Sequence, residues 1–386
     1  MYLLFFLFGF FMFKGNIIIL GQPFLYFEIF TYIVLILLFF LKKLRFMKFS
    51  KFIYLLILQN FLLAFNTGNF GLLQGAKNSI SMLFILITFS SLSIHVKVEE
   101  KIKYFLYFIY GFELFSLVSI LRIVIENSLY DSSTIYMYKS LFILPYGESN
   151  YVASFFLFFG LFQFTIFFEN RFSYFDILNR INKIIFLFFM IIAPVLILIL
   201  NSRTSILAYI ITVAIISLKN SKNNLKKVAI LVLSSVFIIV YFQKNTNFIS
   251  LIFDRFLNEN NNVSYRFNQF SLVLRDISNG NIFQLFFGNG YGSDKITYGI
   301  LIHNLILKLL YSLGIFGTSI YLYIYYVLAG LGKRLFFFSM FGLLLGSMFE
   351  PILFTNYFDS IMMIIIGFFL NNDVKNQDLL GVKDEF

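Results

Sequence analysis

Long apolar segments, separated by short groups of charged or turn-forming residues, recur along almost the whole chain. A segment of about 20 predominantly apolar residues is long enough to cross a bilayer as a helix. Twelve candidate spans are found, at 2–20, 24–41, 52–66, 78–95, 104–121, 151–168, 184–200, 204–218, 228–242, 303–330, 335–349 and 352–370. The pattern predicts an all-α integral membrane protein, in which residues 1–386 form a single polytopic domain of about 12 transmembrane helices.

The composition excludes a water-soluble globule of this size. Apolar residues make up 60% of the chain and charged residues 13%, against roughly 45–50% and about 25% in typical soluble domains. The polar side chains are therefore too few to cover a soluble surface. The chain has no Cys and two His residues, so a thiolate metal site is excluded and a His-based metal site is disfavoured.

The basic residues are concentrated in alternate loops. The most basic loop, at 42–51, is predicted to lie in the cytoplasm because Lys and Arg are retained there. Alternation places five further segments on the same side, at 97–103, 169–183, 219–227, 333–334 and the tail 371–386. These six segments hold 19 of the 30 Lys and Arg residues and 8 of the 19 Asp and Glu residues, which accounts for the whole net charge of +11. The charge therefore indicates membrane topology and anionic lipid, not nucleic acid, and both termini are predicted to be cytoplasmic.

The largest predicted external loop covers residues 243–302. Connections of this length without a role are uncommon. Its pattern predicts a short helix near 248–257 and an Asn-rich break at 258–262. An amphipathic helix is then predicted from Ser264, as the N-cap residue, through Ile277. Both are short amphipathic helices, and we expect the one from Ser264 to lie on the membrane surface or to cap the helix bundle.

Arg203 lies in a short polar segment, Asn201-Ser202-Arg203-Thr204-Ser205, between two apolar runs at the predicted outer face. One interpretation is an arginine that extends to the membrane interface at little cost. The other is a forked cation presented to a phosphate group, with the neighbouring hydroxyls capping the next helix. The segment alone does not decide between them.

The large external loop contains further cationic and glycine-rich candidates. Arg266 lies in the first turn of its predicted helix and Arg275 nine residues later, so the two point to opposite sides. We expect Arg266, not Arg275, to face a site. The run Gly288-Asn289-Gly290-Tyr291-Gly292 can bring backbone N–H groups close to an anion, although a plain turn is the commoner structure for such a run.

Three further residues are candidates for proton transfer or a polar interior. His303, followed by Asn304, opens the tenth span at the water boundary, where it could act as a base; a structural hydrogen bond is the commoner alternative. Glu148, shortly before Asn150, is a second candidate base, or a carboxylate at the favourable end of a helix dipole. Glu113 lies within a predicted span and must face the protein interior.

The order of these elements resembles the superfamily of O-antigen polymerases (Wzy) and O-antigen ligases (WaaL). The resemblance rests on Ser202-Arg203-Thr204-Ser205, on Arg266 in a long external loop, on the glycine-rich run, and on His303-Asn304 leading into Tyr311–Gly317. Glu148-Ser149-Asn150-Tyr151 is similar to a short Asn-Tyr/Phe stretch of that family. The topology matches over nearly the whole chain, and the sequence signature covers residues 200–317.

The resemblance implies transfer of a glycan from undecaprenyl diphosphate to a sugar hydroxyl, at the outer face of the bacterial cytoplasmic (inner) membrane. It implies no metal or other cofactor. In a polymerase the acceptor is another lipid-linked repeat unit of O-antigen, capsule or exopolysaccharide. The catalytic residues implied are Arg203 and Arg266 for the diphosphate and His303 for the acceptor. Further substrate contacts are implied for Arg122, Glu148, Asn150, Arg275, Gly288, Gly290 and Asn304.

Two alternatives to the polymerase stay open. A ligase would join the glycan to lipid A core or another acceptor, with the same arginines and His-Asn pair. A flippase or exporter of lipid-linked oligosaccharide would line its spans with polar residues and have pseudo-symmetric halves. Glu113 and Lys308 are nearly the only charged residues well inside the predicted spans, which disfavours the exporter. The expected partners are lipid-linked oligosaccharide, membrane lipid and, as a further candidate, a chain-length regulator.

Overall fold

The computed structural model describes residues 1–12, 16–19, 22–44, 51–65, 68–127, 149–168, 178–200, 202–219, 261–290, 292–298, 302–348 and 353–370. Within these residues the chain is helical apart from one two-stranded sheet. The elements are α1 (Tyr2–Met12), β1 (Asn16–Ile19), β2 (Gln22–Leu25), α2 (Tyr26–Phe40), α3 (Lys51–Ala64), α4 (Gly68–Ser93), α5 (Val98–Asn127), α6 (Ser149–Phe168), α7 (Arg180–Ile199), α8 (Arg203–Lys219), α9 (Asn261–Asn279), α10 (Ile282–Phe287), α11 (Ser293–Tyr298), α12 (Leu305–Arg334), α13 (Phe337–Ser347) and α14 (Asn356–Phe369). The described residues are therefore predominantly helical, which is consistent with the predicted all-α membrane protein.

Five of the described helices are long and apolar enough to cross a membrane. They contain the segments Leu73–Ser93, Glu100–Arg122, Asn150–Phe168, Arg180–Leu198 and Leu305–Leu331. The shorter apolar helices α1, α2, α3, α8, α13 and α14 coincide with further predicted spans. The predicted span 228–242 and the tail 371–386 lie outside the described residues, and so does the predicted short helix near 248–257. The count of twelve spans and the extent of the external loop stay predictions.

Two predicted helix boundaries are wrong. Helix α1 ends at Met12, and residues 16–19 form a strand instead of continuing the first predicted span to residue 20. The run Ile17-Ile18-Ile19 is β-branched, and such side chains favour extended backbone. Helix α9 begins at Asn261, so Ser264 lies inside the first turn and is not the N-cap residue.

The chain falls into two compact units, each built from separate chain segments. The first contains Met1–Asn16, Ile102–Asn260 and Phe338–Gly346. Its described core is formed by aromatic side chains of α5 and α6. The ring centroid of Phe112 lies 5.6 Å from that of Phe155 and 5.0 Å from that of Phe159. The ring centroids of Phe105 and Phe162 are 5.2 Å apart. Such tilted and edge-on rings pack closely and fix the α5–α6 pair.

The second unit contains Ile17–Lys101, Asn261–Phe337 and Ser347–Phe386. Helix α4 packs against α2, α3 and α14, and helix α12 packs against α3, α9, α10 and α14. A buried ion pair joins α2 to α4, with Lys77 Nζ 2.8 Å from Glu28 Oε2. The same carboxylate accepts the backbone N–H of Leu25 at the end of β2. The pair and this hydrogen bond fix the start of α2 beside α4.

Candidate functional site

Arg203 is the first residue of α8 and is half-buried. A chain of hydroxyl groups lies directly beside it. Ser154 donates to the carbonyl of Asn150 (2.8 Å), Ser205 lies 3.1 Å from Ser154, and Ser202 donates to Ser205 (3.0 Å). Each hydroxyl has one proton, so Ser205 must donate to Ser154. The chain ties the first turn of α8 to the start of α6, both in the first unit.

The position of Arg203 at the amino end of α8 favours binding of an anion. The amino end of a helix carries a partial positive charge and unpaired backbone N–H groups. A guanidinium placed there adds a full positive charge and a fork of donors that matches phosphate oxygens. The hydroxyl chain restrains the backbone that carries this group. The arrangement can therefore bind a phosphate or carboxylate at the start of α8.

The other predicted residues of the first unit are less closely connected. Asn150 is buried, and its carbonyl ends the hydroxyl chain that begins beside Arg203. The hydroxyl chain thus connects the Asn150 carbonyl to Ser202, the residue that precedes Arg203. Arg122 is exposed in the last turns of α5. Glu148 lies outside the described residues.

In the second unit, His303 and Asn304 are held between α9 and α12. The backbone N–H of His303 donates to Oε1 of the buried Gln269 in α9, at 3.2 Å. Asn304 caps α12, because its Oδ1 accepts the N–H of Leu307 at 3.1 Å. Its Nδ2 donates to the carbonyl of Met348 at 3.3 Å. Both polar ends of the Asn304 side chain are therefore used to fix the start of α12, while the half-buried His303 ring lies at that corner.

A small apolar core supports this corner. It consists of Val273, Ile302 and Tyr311, with Ile277, Tyr298 and Leu307 packed against it. The N–H of Ile302 donates to the buried Asp294 carboxylate at 3.2 Å, and Tyr298 donates to Asp276. Burial and the bond to Asp276 raise the pKa of Tyr298 above its ordinary value. Tyr298 therefore stays a neutral donor at physiological pH, and the core holds α9, α11 and α12 together.

The side chain of Arg275 is described in the structure, whereas that of Arg266 is not. The backbone of Arg266 lies in α9, and its side chain is outside the described part of the structure. It precedes Gln269 by three residues and Val273 by seven, a spacing that places all three on one stripe of the helix. Gln269 and Val273 are buried, whereas Arg275 is exposed. Of the two arginines, only Arg275 has a described side chain, and it lies on the exposed surface of α9.

Residues 288–290 of the glycine-rich run form a turn in which each backbone N–H is already paired. Gly288 and Gly290 have φ angles of +83° and +100°. The N–H of Gly288 closes the last turn of α10. The N–H of Asn289 donates to the carbonyl of Tyr311 and that of Gly290 to Ser312, both at 2.9 Å. These N–H groups do not remain open to an anion, so the turn interpretation of Gly288 and Gly290 is the one that fits.

The last predicted span contains a buried charged residue, Asp359, that was not among the predicted polar residues. Asp359 in α14 is 1% exposed, and its Oδ1 accepts the hydroxyl proton of Tyr321 at 3.0 Å. The buried Lys308 lies close enough to act on Asp359 electrostatically. An Asp in an otherwise apolar run was the signal that could have revealed it. Glu28, in the second predicted span, was overlooked in the same way.

The predicted spans therefore contain more buried charged residues than Glu113 and Lys308, which corrects the statement that these two were nearly the only ones. Glu28 is paired with Lys77, and Asp359 is bonded to Tyr321. Glu113 is buried in α5, and its Oε2 accepts a hydrogen bond from Gln163 of α6 at 2.9 Å. Each of these carboxylates is thus bonded to a neighbouring helix of its own unit, so the added charges have a structural explanation.

Comparison with known proteins identifies no family for the chain. No protein-family model, no curated protein and no solved structure matches it. Two arrangements of the chain's own residues are therefore the candidates for function. One is a half-buried arginine at the start of α8, and the other is a histidine fixed between α9 and α12.

Proposed function

We propose that this protein is a polysaccharide repeat-unit polymerase of the outer face of the bacterial cytoplasmic membrane. It transfers a glycan from undecaprenyl diphosphate to another lipid-linked repeat unit. The observation that carries the proposal is Arg203, the first residue of α8, four residues after Ile199, the last residue of the apolar helix α7. A lipid diphosphate joins a doubly anionic group to a long apolar chain. A forked cation at the end of apolar helices complements both parts.

The chemistry needs positive charge at the leaving group. An oxygen of the acceptor hydroxyl attacks the anomeric carbon, and the bond from that carbon to the diphosphate oxygen breaks. The diphosphate leaves with the bonding electrons, and the hydroxyl proton passes to a base. Arg203 and the amino end of α8 offset the charge that develops on the diphosphate. The hydroxyl chain to α6 supports this role because a fixed cation needs no reorganisation during the reaction.

The remaining roles are the ones that the family resemblance implies for Arg266 and His303. Arg266 is the second cation for the diphosphate, and His303 positions or deprotonates the acceptor hydroxyl. The support for His303 is its attachment to Gln269 and the apolar core beneath it. A catalytic base must be held within roughly 0.5 Å of the position from which it can accept the proton. The bonds of Asn304 to Leu307 and Met348 restrain that corner further.

The direct test uses purified protein in lipid nanodiscs with a lipid-diphosphate repeat unit. Polymerisation is read as a ladder of products on a gel. We expect Arg203→Ala to slow the reaction by about 100- to 1,000-fold, the usual cost of removing one group that stabilises developing charge. Arg203→Lys keeps the charge but loses the fork, and should fall between Ala and the native protein.

Arg180 supplies a matched control. It is the first residue of α7, as Arg203 is of α8, but it is exposed and predicted to be cytoplasmic. Arg180→Ala should leave the ladder unchanged. A ladder that survives both Arg203→Ala and Arg266→Ala contradicts the site assignment. A native protein that forms no glycosidic product contradicts the polymerase and favours the exporter.

Cells that lack the protein separate the polymerase from the ligase. Accumulation of single repeat units on the lipid carrier supports a polymerase, because the chain-extension step is missing. Full-length chains left on the carrier contradict it and support a ligase, because extension has then occurred without this protein. Lipid-linked oligosaccharides extracted from the deletion strain and from a complemented strain provide the comparison.

A further inference from the structure

Helix α10 is exposed along its whole length although five of its six residues are apolar. Ile282 is 77% exposed, Phe283 55% and Phe286 48%. Apolar clusters of this kind on a water-facing surface are unfavourable and normally mark a contact with another apolar phase. Both ends of the helix are nevertheless well formed. Asn281 and Gln284 cap the first turn reciprocally, and Gly288 closes the last one.

The place where α10 meets α12 lies well inside a candidate membrane span. A Cβ atom at Gly314 would be 2.4 Å from the carbonyl oxygen of Phe286, so the two backbones touch there. The span runs from Leu305 to Leu331, and Gly314 is four residues from its midpoint at residue 318. At a rise of about 1.5 Å per residue this is about 6 Å, against a hydrocarbon half-thickness of about 15 Å.

The turn after α10 is hydrogen-bonded in the way that membrane depth requires. Irregular backbone is tolerated there only where the protein itself pairs the N–H and C=O groups. The N–H groups of Asn289 and Gly290 donate to carbonyls of α12. The side chain of Gln59, buried in α3, donates to the carbonyls of Phe287 (3.0 Å) and Leu313 (2.8 Å). These backbone groups are paired within the protein, as they must be if the turn lies at membrane depth.

The exposed surface of α10 is continuous with the exposed surface of the span. Ile315 and Phe316 of α12 are 43% and 44% exposed. The ring of Phe316 lies 5.9 Å from that of Phe287, which in turn lies 5.0 Å from Phe283. One unbroken apolar surface therefore covers both helices, and whatever covers the exposed side of the span also covers α10.

We infer that α10 and the turn at residues 288–290 form a re-entrant element, and that the exposed side chains of α10 contact the hydrocarbon chains of membrane lipid. The element enters the membrane beside α12 and returns through α11 to the start of the same span. This inference does not depend on the proposed glycan transfer.

The test uses the absence of Trp from the sequence, since a single introduced Trp is then the only indole emitter. Phe283→Trp and Phe286→Trp, reconstituted in vesicles of brominated phosphatidylcholine, should lose emission as strongly as Phe188→Trp. Phe188 is 48% exposed on α7, an independent candidate span. Asn279→Trp, on the exposed end of α9, should instead be quenched by iodide in the water phase.

Thiol labelling gives a second reading that does not depend on a bulky side chain. The chain has no Cys, so Phe283→Cys and Asn279→Cys each create a unique thiol. A water-soluble maleimide should label Asn279→Cys in reconstituted vesicles and leave Phe283→Cys unmodified until detergent and denaturant are added. Iodide quenching of both α10 tryptophans, together with maleimide labelling of Phe283→Cys equal to that of Asn279→Cys, would overturn the inference and place α10 in water.

Discussion

Replacing Gly314 by Ala tests the close contact between α10 and α12. Gly314 has a φ angle of +64° within α12, a conformation that L side chains disfavour by about 1–2 kcal/mol. The added Cβ would also lie 2.4 Å from the carbonyl carbon and oxygen of Phe286 and 2.5 Å from the backbone nitrogen of Phe287. These are backbone atoms, so no side-chain rotation can relieve the overlap, and α10 as a whole must move.

The expected loss of stability follows from these two terms. Forcing extra volume into a packed interior costs about 1–3 kcal/mol. Together with the backbone term, Gly314→Ala should lower the free energy of unfolding by about 2–5 kcal/mol. The displacement would also strain the hydrogen bonds of Asn289 and Gly290 to α12. Their loss would bring the effect to the upper end of that range.

Gly330 in the same helix is a matched control. A Cβ at Gly330 has no described atom within 4 Å, and the residue is exposed. Gly330→Ala should therefore leave stability unchanged or raise it by up to about 1 kcal/mol, the propensity difference between Gly and Ala. Thermal unfolding of both variants in the same lipid nanodiscs measures the contrast. Equal unfolding temperatures for Gly314→Ala and Gly330→Ala would refute the contact and the strained conformation together.

Two buried polar contacts of the second unit give the remaining predictions, both measured by thermal unfolding in nanodiscs. Lys77→Met leaves the buried Glu28 carboxylate without its cation and should cost about 3–5 kcal/mol. The double variant with Glu28→Leu should recover most of that loss, and a double variant as unstable as the single one would contradict the pairing. Tyr321→Phe removes a buried hydroxyl that has one donor and one acceptor partner, and should cost about 1–3 kcal/mol. The exposed Tyr326 of the same helix is its control, and a Tyr326→Phe variant that is equally unstable would exclude the specific contact.

Hydropathy predicts the long helices well for a physical reason. In an apolar environment the backbone must pair its own N–H and C=O groups, and a helix does so within one segment. The predicted spans 151–168 and 204–218 therefore correspond to helices Ser149–Phe168 and Arg203–Lys219. Their limits are set by the local change from apolar to polar residues, which is visible in the sequence.

Features that depend on distant partners could not be predicted in this way. A uniformly apolar run does not distinguish strand from helix by its period, and the strand at 16–19 was missed for that reason. The glycine turn looks open in the sequence, but the carbonyls that bind it belong to α12. The environment of Asp359 could not be predicted because α12, which holds both Tyr321 and Lys308, is brought beside it only by tertiary packing.

Part of the candidate site was predictable from local sequence, and part depends on contacts between residues far apart in the chain. Arg203 was recognisable because a cation between two apolar runs stands out locally. The attachment of His303 to Gln269 joins residues 34 positions apart, and the serine chain that restrains Arg203 reaches 51 positions back to Ser154. No spacing rule connects such pairs. The roles of Arg203, Arg266 and His303 stay predictions for the assays described above.

The discontinuity of the second unit determines the order in which it can be completed during synthesis. Its segments are separated by residues 102–260, which belong to the first unit. The side-chain amide of Gln59 can form both of its hydrogen bonds only after Leu313, 254 positions later, has been synthesised. The ion pair of Glu28 and Lys77 can form earlier, because both residues lie in the first segment of the unit. Helices α2–α4 can therefore assemble early through that pair, while the amide of Gln59 has neither partner until α10 and α12 have been made.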